Sequence, residues 1–565
     1  MYKVNILKQD YSEIELININ TNERIKYDGI SRGLFHNDEV NIDEDGSLKI
    51  LFSSLPQYLV GILELYSSHI LKSNTNTPIY LFKPLNKNYP KFYVHSKCRS
   101  KYNKNILVSI QDLQWNLANN YPNAKLLDVY GEYDNIEVME DALCDHYELI
   151  DNNYRLKNIP IIKYGCDLSR ININENIYSI DPDGCKDIDD AFSIKEDNNG
   201  FHLWIHISDV YSNLMSWFDD ASYIIYHLHQ GSSIYLRKRI RHMLSGVWAT
   251  NICSLLEGTT RNMMTLYINL LNDGRINYNF YISEGKITKN YNYDNSIKLF
   301  RNYFNKIEII YNYFMKETGH MINDPIIIND THKFIEALMI IYNLYFGNVI
   351  MNSWSYRLLR IQKNKKYDID LNNYDKDLRK FMFIISNTSA NYIITKDLEK
   401  HDTIGVYGYT HATSPIRRKV DLINQMLYYN KDVIKYGILE GIIVDINRYE
   451  KKMKRLNRDI NKLYLLERVY NSPNYNTNCY IYSSNIEKNR MSLYFPKERL
   501  SFKINIIRNE VKDIVDISKY ENRIIIKEKA NNNQKEIELY KLLKVCINGI
   551  PLIDKIDEML MIEFL

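Results

Sequence analysis

Five aspartates lie within ten residues in the middle of the chain, in the segment from Ser179 to Ala191. The apolar residues on either side of this segment predict two short buried strands that bracket an acidic loop. Pro182 and Gly184 suit the second and fourth positions of a type I turn that opens at Asp181, so we expect the chain to reverse there. Few folds tolerate so much negative charge in one loop, and the loop therefore constrains the structure strongly.

Four of the carboxylates, those of Asp181, Asp187, Asp189 and Asp190, should come close together in this loop. Neighbours in a regular strand point to opposite faces, so Asp189 and Asp190 serve one centre only if the loop is irregular. Clustered carboxylates repel one another and stay ionised when cations neutralise them. Because hard oxygen ligands select magnesium or manganese, the loop predicts a site for one of these cations.

Three other interpretations of the loop stay open on this reasoning. An acidic surface turn has the same composition. A calcium-binding EF-hand loop fits badly. Its pattern requires other residues at the positions of Pro182 and Cys185, and Gly184 comes earlier than the glycine of that pattern. An acidic motif of a glycosyltransferase or cyclase can be read into Asp187–Asp190 alone, which is a short signal.

The whole stretch resembles the metal-binding loop of the RNase II / RNase R family of exoribonucleases, the RNB family. Its quartet of aspartates falls at relative positions 0, 6, 8 and 9, which is the pattern of the family. The Gly184–Cys185 pair is more similar to the eukaryotic branch that includes the catalytic subunit of the exosome, although we expect no N-terminal endonuclease domain here. The resemblance implies that the quartet binds Mg²⁺, with Mn²⁺ as the alternative, and that Asp189 is catalytic. The implied metal ligands are Asp181, Asp187, Asp189 and Asp190.

A second motif, Tyr409–Asp421, is similar to the family's Tyr-Thr-His-Phe-Thr-Ser-Pro-Ile-Arg-Arg-Tyr-x-Asp. Pro415 suits the first turn of a helix and Ser414 a cap before it, so we expect Arg417 at a helix N-terminus, where anions bind. The resemblance implies that Arg417 is catalytic and holds the scissile phosphate. It implies that Arg418 either supports this contact with RNA or pairs with Asp421.

Weaker matches lie between the two motifs. His206 and Asp209 belong to a strand that resembles a family motif, and we interpret both as satisfied core polar groups rather than catalysts. Tyr235, in Gly-Ser-Ser-Ile-Tyr, resembles the tyrosine that stacks on a base near the 3′ end of the RNA. Tyr293 resembles a second aromatic residue beside the RNA. Glu336 is expected as a buried acid in an apolar helix that resembles the family helix which approaches the terminal nucleotide. The resemblance thus implies RNA-binding roles for Tyr235, Tyr293, Glu336 and Arg418.

Several positions depart from the family pattern. Lys419 replaces a tyrosine, Gln425 a histidine, and Ala337 the second acid of the helix. The prolines that the family places around Met243 and Leu244 are missing as well. These departures affect the surroundings of the site, and we expect the entrance near Met243 to be shaped differently.

The chain has 565 residues and a net charge of +3 at pH 7, which predicts a soluble protein of several domains. A near-neutral chain is not a histone-like polycation, so a nucleic-acid site must be a local basic groove. Seven cysteines without a CxxC pair suit reduced thiols and indicate no zinc site. We expect a cytoplasmic or nuclear protein that is not secreted, with Phe334–Val349 as a buried helix and no membrane partner. The local basic clusters are Arg237–Arg241, Arg360 with Lys363, Lys365 and Lys366, Arg417–Lys419 and Lys451–Arg455.

The predicted fold class is α+β and multidomain. Short alternating runs predict small β-barrels of the cold-shock or OB type at residues 1–90 and 91–160, and an OB-fold at 475–565. Between them, residues 165–470 resemble the RNB catalytic domain with a C-terminal linker helix. Such barrels bind single strands through a basic groove and aromatic stacking.

These features together predict a metal-dependent 3′ to 5′ exoribonuclease that hydrolyses single-stranded RNA to nucleoside 5′-monophosphates. We expect a monomer that binds single-stranded RNA, and the sequence leaves open whether accessory RNA-processing proteins join it. The alternative is a catalytically weakened RNB-fold protein that binds RNA without cutting it. Metal-dependent sugar transfer is a third interpretation, but no motif indicates a nucleotide-sugar pocket.

Overall fold

The computed structural model describes most of the chain and divides it into two compact units. Unit 1 comprises Met1–Leu149, Tyr374–Leu378 and Lys452–Leu565, and unit 2 comprises Ile150–Asn373 and Arg379–Lys451. Cys166, Lys365, Lys366 and the predicted domain boundary at residues 160–165 lie outside the described residues. The described residues are 1–7, 11, 13–27, 33–66, 77–115, 120–149, 169–215, 228, 230–320, 326–364, 374–430, 434–472, 474–487, 489–506, 515–520, 523–528, 534–549 and 560–564.

The chain begins with an antiparallel five-stranded sheet in the order β3-β2-β1-β4-β5. Alternate residues are buried in two of its strands, namely Val4 and Ile6 in β1 and Ile14 and Leu16 in β2. This alternation is expected for a sheet with one face on a core. The strands are β1 Tyr2–Ile6, β2 Ile14–Asn18, β3 Arg24–Tyr27, β4 Glu39–Ile42 and β5 Leu48–Phe52.

A closed barrel in the order β10-β8-β7-β6-β9 follows. Phe82, Phe92 and Val108 lie in its core. The chain changes from the first sheet to this barrel between Phe52 and Tyr58, ahead of the predicted boundary at residue 90, because β6 pairs with both β7 and β9. The elements are β6 Tyr58–Glu64, β7 Ile79–Pro84, β8 Phe92–His95, β9 Ile106–Gln114, β10 Asn123–Glu132 and helix α1 Ile136–His146.

Unit 2 contains a second closed barrel in the order β11-β12-β13-β16-β17. The predicted strands around the acidic loop are present as β11 and β12, and Tyr178 of β11 pairs with Phe192 of β12. Every residue of β13 is buried, as expected for a central strand covered on both faces. The elements are β11 Ile171–Asp181, β12 Asp190–Asp197, β13 Gly200–Ser208, α2 Val210–Met215, β14 Ile234–Tyr235, β15 Ile240–Arg241, β16 Thr260–Leu270 and β17 Ile276–Asn292.

Helices pack on this barrel and share its core, which includes Phe192, Phe334 and Ile341. The stretch Thr331–Ser353 is long and apolar enough to cross a membrane, and 67% of its most apolar window is buried in the protein. The remaining elements up to residue 471 are α3 Tyr293–Phe300, α4 Phe304–Glu317, α5 Thr331–Asn348, β18 Arg357–Ile361, α6 Lys376–Ser386, β19 Asn391–Thr395, β20 Lys400–His401, β21 Val406–Tyr407, α7 Lys419–Tyr429 and α8 Tyr436–Asn471. Short 3₁₀ turns occur at Cys98–Ser100, Arg301–Tyr303 and Ile350–Ser353, and a π-helical turn at Trp248–Ile252.

The C-terminal part of unit 1 is again built of strands. A five-stranded sheet has the order β24-β23-β22-β28-β29, and a three-stranded sheet the order β25-β26-β27. Leu465 and Val469 of α8 join its core. Small β-structures therefore flank a larger α+β domain in the sequence, which confirms the predicted fold class. The strands are β22 Tyr475–Asn485, β23 Arg490–Phe495, β24 Leu500–Asn505, β25 Val515–Tyr520, β26 Arg523–Glu528, β27 Gln534–Glu538, β28 Leu542–Gly549 and β29 Leu560–Phe564.

Candidate active site

The acidic loop connects two strands of the unit 2 barrel, since β11 ends at Asp181 and β12 begins at Asp190. The turn in this loop lies one residue later than predicted. The N–H of Cys185 donates to the carbonyl of Pro182 at 3.1 Å, and Gly184 occupies the third position with φ +76°. A positive φ at the third position belongs to a type II turn, which favours glycine there.

Asp189 is buried and held from two sides. Its Oδ1 accepts a hydrogen bond from the N–H of Ile416 at 2.7 Å, and its carbonyl accepts one from the N–H of Ser208 at 2.9 Å. Its other carboxylate oxygen, Oδ2, lies 3.3 Å from Nε of Arg417 and makes no hydrogen bond. The backbone thus fixes one oxygen of Asp189 and leaves the other directed at the site.

Asp187 is also buried and contacts the small hairpin formed by β14 and β15. The hydroxyl of Tyr235 donates to Oδ2 of Asp187 at 2.5 Å. Nδ1 of His242 lies 4.0 Å from the same oxygen, and Sγ of Cys185 lies 3.7 Å from Oδ1. Burial raises the pKa of Tyr235 far above its usual range, with the charge of Asp187 adding to the effect. Tyr235 is therefore a donor to Asp187 at neutral pH.

Burial dominates the electrostatics of the aspartates. It raises the pKa of Asp181 to about 6, with Asp187 adding to the rise, and it raises the pKa of Asp190 to about 7, with Asp181 adding. Burial likewise raises the pKa of Asp189 well above its usual range, although Arg417 opposes the shift. The carboxylates of Asp181, Asp189 and Asp190 therefore lack enough positive charge around them.

The donor set fits a hard divalent cation. Oδ2 of Asp181 and Oδ2 of Asp189 are both buried without a hydrogen-bond partner, which is costly unless another positive group serves them. In the parts of the chain that the structure describes, no three His, Cys, Asp or Glu side chains are already drawn together into a metal-binding cluster. Carboxylates that repel one another are expected to stay apart until a cation neutralises them.

Arg417 reaches the acidic loop from a turn and not from a helix, so the predicted helix start is wrong. Helix α7 begins at Lys419, and the residues before it form a turn in which the N–H of Arg418 donates to the carbonyl of Ser414 at 2.9 Å. The N–H of Ile416 and the carbonyl of Arg417 bond to other segments, to Asp189 and to Ser233. The bond from Ser233 occupies the carbonyl of Arg417, which would otherwise accept a helical bond, whereas the N–H of Ile416 has no partner within a helix that starts at Pro415. The side chain of Arg417 is 44% exposed and thus open to a ligand.

Arg418 is paired within its own motif. Its Nη2 donates to Oδ1 of Asp421 at 2.7 Å and to the hydroxyl of Thr413 at 3.2 Å, and its Nη1 lies 3.1 Å from Nδ1 of His411. Asp421 is fully buried and also accepts from the N–H of Ser414. Of the two predicted roles for Arg418, RNA contact and pairing with Asp421, the described contacts are those of the pair.

The other predicted RNA-binding side chains lie at the surface of unit 2 to different degrees. The side chain of Tyr235 is exposed although its hydroxyl is bonded. The ring of Tyr293 stacks on the ring of His332, with centroids 3.7 Å apart. Glu336 is exposed on α5, whereas the sequence predicted a buried acid. It occupies the solvent side of the helix because Phe334, Ala337 and other apolar residues of α5 fill the core.

The departures from the family pattern have local partners. Nζ of Lys419 donates to the carbonyl of Leu228 at 2.7 Å, and burial lowers the pKa of Lys419 to about 8. Gln425 bridges the N–H of Tyr211 and the carbonyl of Ser208. Ala337 is buried.

His206 and Asp209 are satisfied core groups, as the sequence suggested. His206 bonds to Ser193 at 3.0 Å and to Thr265 at 2.8 Å, and burial lowers its pKa to about 3. Asp209 pairs with Arg170 at 2.9 Å.

Two histidines near the site were missed by the sequence reasoning. His332 supports the ring of Tyr293, and His242 faces Asp187. The only signal for His242 was that it stands beside Met243, where the family has proline. The signal for His332 was its place one helical turn before Glu336, which gives both residues the same side of α5.

Comparison with known proteins identifies two matching families. The RNB domain matches residues 170–302, and the Dis3-like cold-shock domain 2 (CSD2) matches residues 79–148. Ribonuclease R 2 of Lactococcus lactis is 26% identical over 244 residues, which are 41% of this chain and 34% of that protein. The chain thus spans about a third of the length of this curated relative.

Among solved structures, RNase R of Mycoplasma genitalium in complex with ribose-methylated single-stranded RNA has a TM-score of 0.74 at 17% identity, and the match covers 100% of both chains. Yeast Ssd1, described as a pseudonuclease, has a TM-score of 0.67 at 13% identity, covering 100% of this chain and 96% of that one. At these identities the likeness shows the fold alone. It extends from end to end of the chain.

Proposed function

Because this chain carries an RNB domain, the domain of the RNase II / RNase R family, we propose that it is a 3′ to 5′ exoribonuclease. Its substrate would be single-stranded RNA and its products nucleoside 5′-monophosphates. The observation that carries the proposal is the meeting of the two motifs: Asp189 of the acidic loop accepts a hydrogen bond from Ile416 and lies beside the guanidinium of Arg417. The exposed guanidinium of Arg417 thus lies next to buried carboxylates, and this arrangement suits the binding of a phosphodiester.

The proposal includes magnesium, or manganese, held by Asp181, Asp187, Asp189 and Asp190. It is supported by the buried, unpartnered oxygens of Asp181 and Asp189 and by the raised pKa of the carboxyl groups of Asp181 and Asp190. Divalent cations in such sites activate a water molecule and stabilise the leaving oxygen of an in-line displacement. Cation binding would remove the unfavourable charge density that burial creates in this loop.

The protein's own groups would orient the substrate. The N–H of Ile416 holds Asp189 in place, and Oδ2 of Asp189 would be available to hold the cation. Arg417 would bind the non-bridging oxygens of that phosphate and offset the charge that develops on them. The exposed ring of Tyr235 would stack on a base, while its hydroxyl keeps Asp187 oriented. Tyr293, stacked on His332, would be a second aromatic residue beside the RNA.

The alternative is an RNB-fold protein that binds RNA without cutting it. The likeness of fold to yeast Ssd1, a pseudonuclease, gives this alternative a precedent. It is disfavoured here because the quartet of aspartates and Arg417 are all present. A binder has no need of four acidic side chains buried beside the phosphate it must hold, since they repel it.

One assay separates the two functions. Purified full-length protein is incubated with 5′-labelled single-stranded RNA and Mg²⁺, and the products are resolved by length. A ladder that descends one nucleotide at a time, with free nucleoside 5′-monophosphates, is the expected result. Bound but intact RNA would establish the alternative, and internal cuts would contradict the exonucleolytic assignment.

A further inference from the structure

A short hairpin in unit 2 brings Tyr235 and His242 to the same carboxylate. Tyr235 of β14 pairs with Ile240 of β15, and His242 follows directly after β15. The N–H of Met243 donates to the hydroxyl of Ser233 at 2.9 Å, which fixes the register of the two strands. Met243 is fully buried. The backbone on either side of His242 is therefore held firmly.

The ring of His242 is enclosed and incompletely satisfied. Its side chain is 12% exposed, and Nδ1 is buried without a hydrogen-bond partner. Nδ1 lies 4.0 Å from Oδ2 of Asp187, which is too far for a hydrogen bond. Asp187 does not need His242, because the hydroxyl of Tyr235 already donates to the same oxygen. A structural histidine would be expected to bond to a neighbour through this nitrogen.

We propose that His242 adds an imidazole nitrogen to the cation site formed by the aspartate quartet. The inference rests on the proposed function, because it takes the cation site as given. Two bonds of about 2.1 Å from one ion would span the distance between Nδ1 of His242 and Oδ2 of Asp187. The nitrogen of His242, which has no hydrogen-bond partner, would then be satisfied by the ion that Asp187 helps to bind.

A nitrogen ligand changes which cation the site prefers. Carboxylate oxygens suit magnesium and manganese, whereas imidazole suits borderline transition metals. Manganese accepts both ligand types, and magnesium keeps mainly oxygen ligands. Addition of His242 therefore biases the site toward Mn²⁺ over Mg²⁺. In the sequence, the one indication of a nitrogen ligand is that His242 stands beside Met243, where the family has a proline.

The direct test detects the nitrogen on the bound metal. Full-length protein is loaded with Mn²⁺, and pulsed electron paramagnetic resonance is recorded on samples with natural and ¹⁵N-labelled histidine. We expect the modulation of one directly bound imidazole nitrogen, which changes on labelling and disappears in His242→Gln. His202→Gln is the matched control, because His202 also lies beside an aspartate, Asp197 at 3.0 Å, in the same barrel.

Equilibrium titrations complete the test. In His242→Gln the affinity for Mn²⁺ should fall by at least about tenfold, while the affinity for Mg²⁺ changes little. Mn²⁺ bound by wild type without the nitrogen signal would overturn the role of His242 and leave the aspartate site standing. No specific Mn²⁺ binding by wild type would overturn both. Absence of the nitrogen signal from wild type would overturn the role of His242 without any variant, so the proposal stays falsifiable even if His242→Gln misfolds.

Discussion

The N–H of Ile416 donates a hydrogen bond of 2.7 Å to Oδ1 of Asp189, across 227 residues of sequence. This bond joins the acidic loop to the arginine motif and sets the position of both. It holds Asp189 so that Oδ2 faces Arg417 at 3.3 Å. The backbone of the arginine motif thus fixes one oxygen of Asp189, while the carboxylates around it still lack the cation that would draw them together.

The first prediction concerns Arg417. Arg417→Ala should lower the rate of RNA cleavage by about a hundred- to a thousandfold, the usual cost of removing one donor that stabilises charge in the transition state. Arg417 also lies beside the buried carboxylate of Asp189, so we expect some loss of stability, smaller than that of Arg418→Ala because the side chain of Arg417 is 44% exposed. Single-turnover cleavage and a thermal melt check both parts. Arg417→Lys keeps the charge and should recover only part of the rate, because the bidentate fork is lost.

Arg418, the next residue, should behave in the opposite way. Arg418→Ala leaves Asp421 buried and without its charged partner. Breaking such a pair costs about 3–5 kcal/mol of unfolding free energy. Denaturant unfolding of the full chain should show this loss in the transition of unit 2. A variant with wild-type stability and strongly weakened RNA binding would instead assign Arg418 to the RNA.

Two substitutions at Tyr235 separate its ring from its hydroxyl. Tyr235→Ala should weaken binding of single-stranded RNA by about 1–3 kcal/mol, because a stacking surface is lost. Tyr235→Phe keeps the ring and should bind RNA like wild type, but it frees Oδ2 of Asp187 from its donor. Filter binding at fixed salt measures both. Equal weakening by the two variants would contradict stacking as the source of affinity.

Lys419 should make stability depend on pH. Burial lowers the pKa of Lys419 in the folded protein to about 8, below the usual value of a lysine. The unfolded chain therefore binds more protons above pH 8, and stability rises with pH through this window. Between pH 8 and pH 9.5 the gain should be about 1.5 kcal/mol relative to Lys419→Met. If the unfolding free energies of wild type and Lys419→Met changed with pH in parallel, the lowered pKa of Lys419 would be contradicted.

Local sequence predicted the features that depend on neighbouring residues. The strands around the acidic loop follow from apolar runs such as Ile177–Ile180, and the fold class follows from the alternation in the flanking segments. The sequence missed features that distant segments decide. The turn at Ser414 stands in place of a helix start, and there the carbonyl of Arg417 accepts from the distant Ser233.

The orientation of polar side chains could not be predicted from the sequence either. Glu336 looked like a buried acid because its neighbours are apolar, yet the helix turns it to solvent. His242 gave no periodic or spacing signal, and only the pairing of β14 with β15 shows that it faces Asp187. A pattern specifies which residues are apolar, whereas the contacts of a polar side chain depend on how the chain packs.

The central claim is that the aspartate quartet performs the chemistry, and Asp189→Asn tests it. Asparagine keeps the shape of the side chain and can still accept the bond from Ile416, but it removes a full negative charge from the cation site. The matched control is Asp183→Asn, because Asp183 lies in the same loop, is exposed and stands outside the quartet.

The decisive measurement is single-turnover decay of one single-stranded RNA in Mg²⁺ for wild type and both variants, with affinity measured by filter binding. The rate for Asp189→Asn should fall by about a hundred- to ten-thousandfold, because metal catalysis is worth several kcal/mol. The RNA affinity of Asp189→Asn should stay close to that of wild type. Asp183→Asn should degrade the RNA at the wild-type rate. Near wild-type decay by Asp189→Asn would contradict the site and the mechanism together.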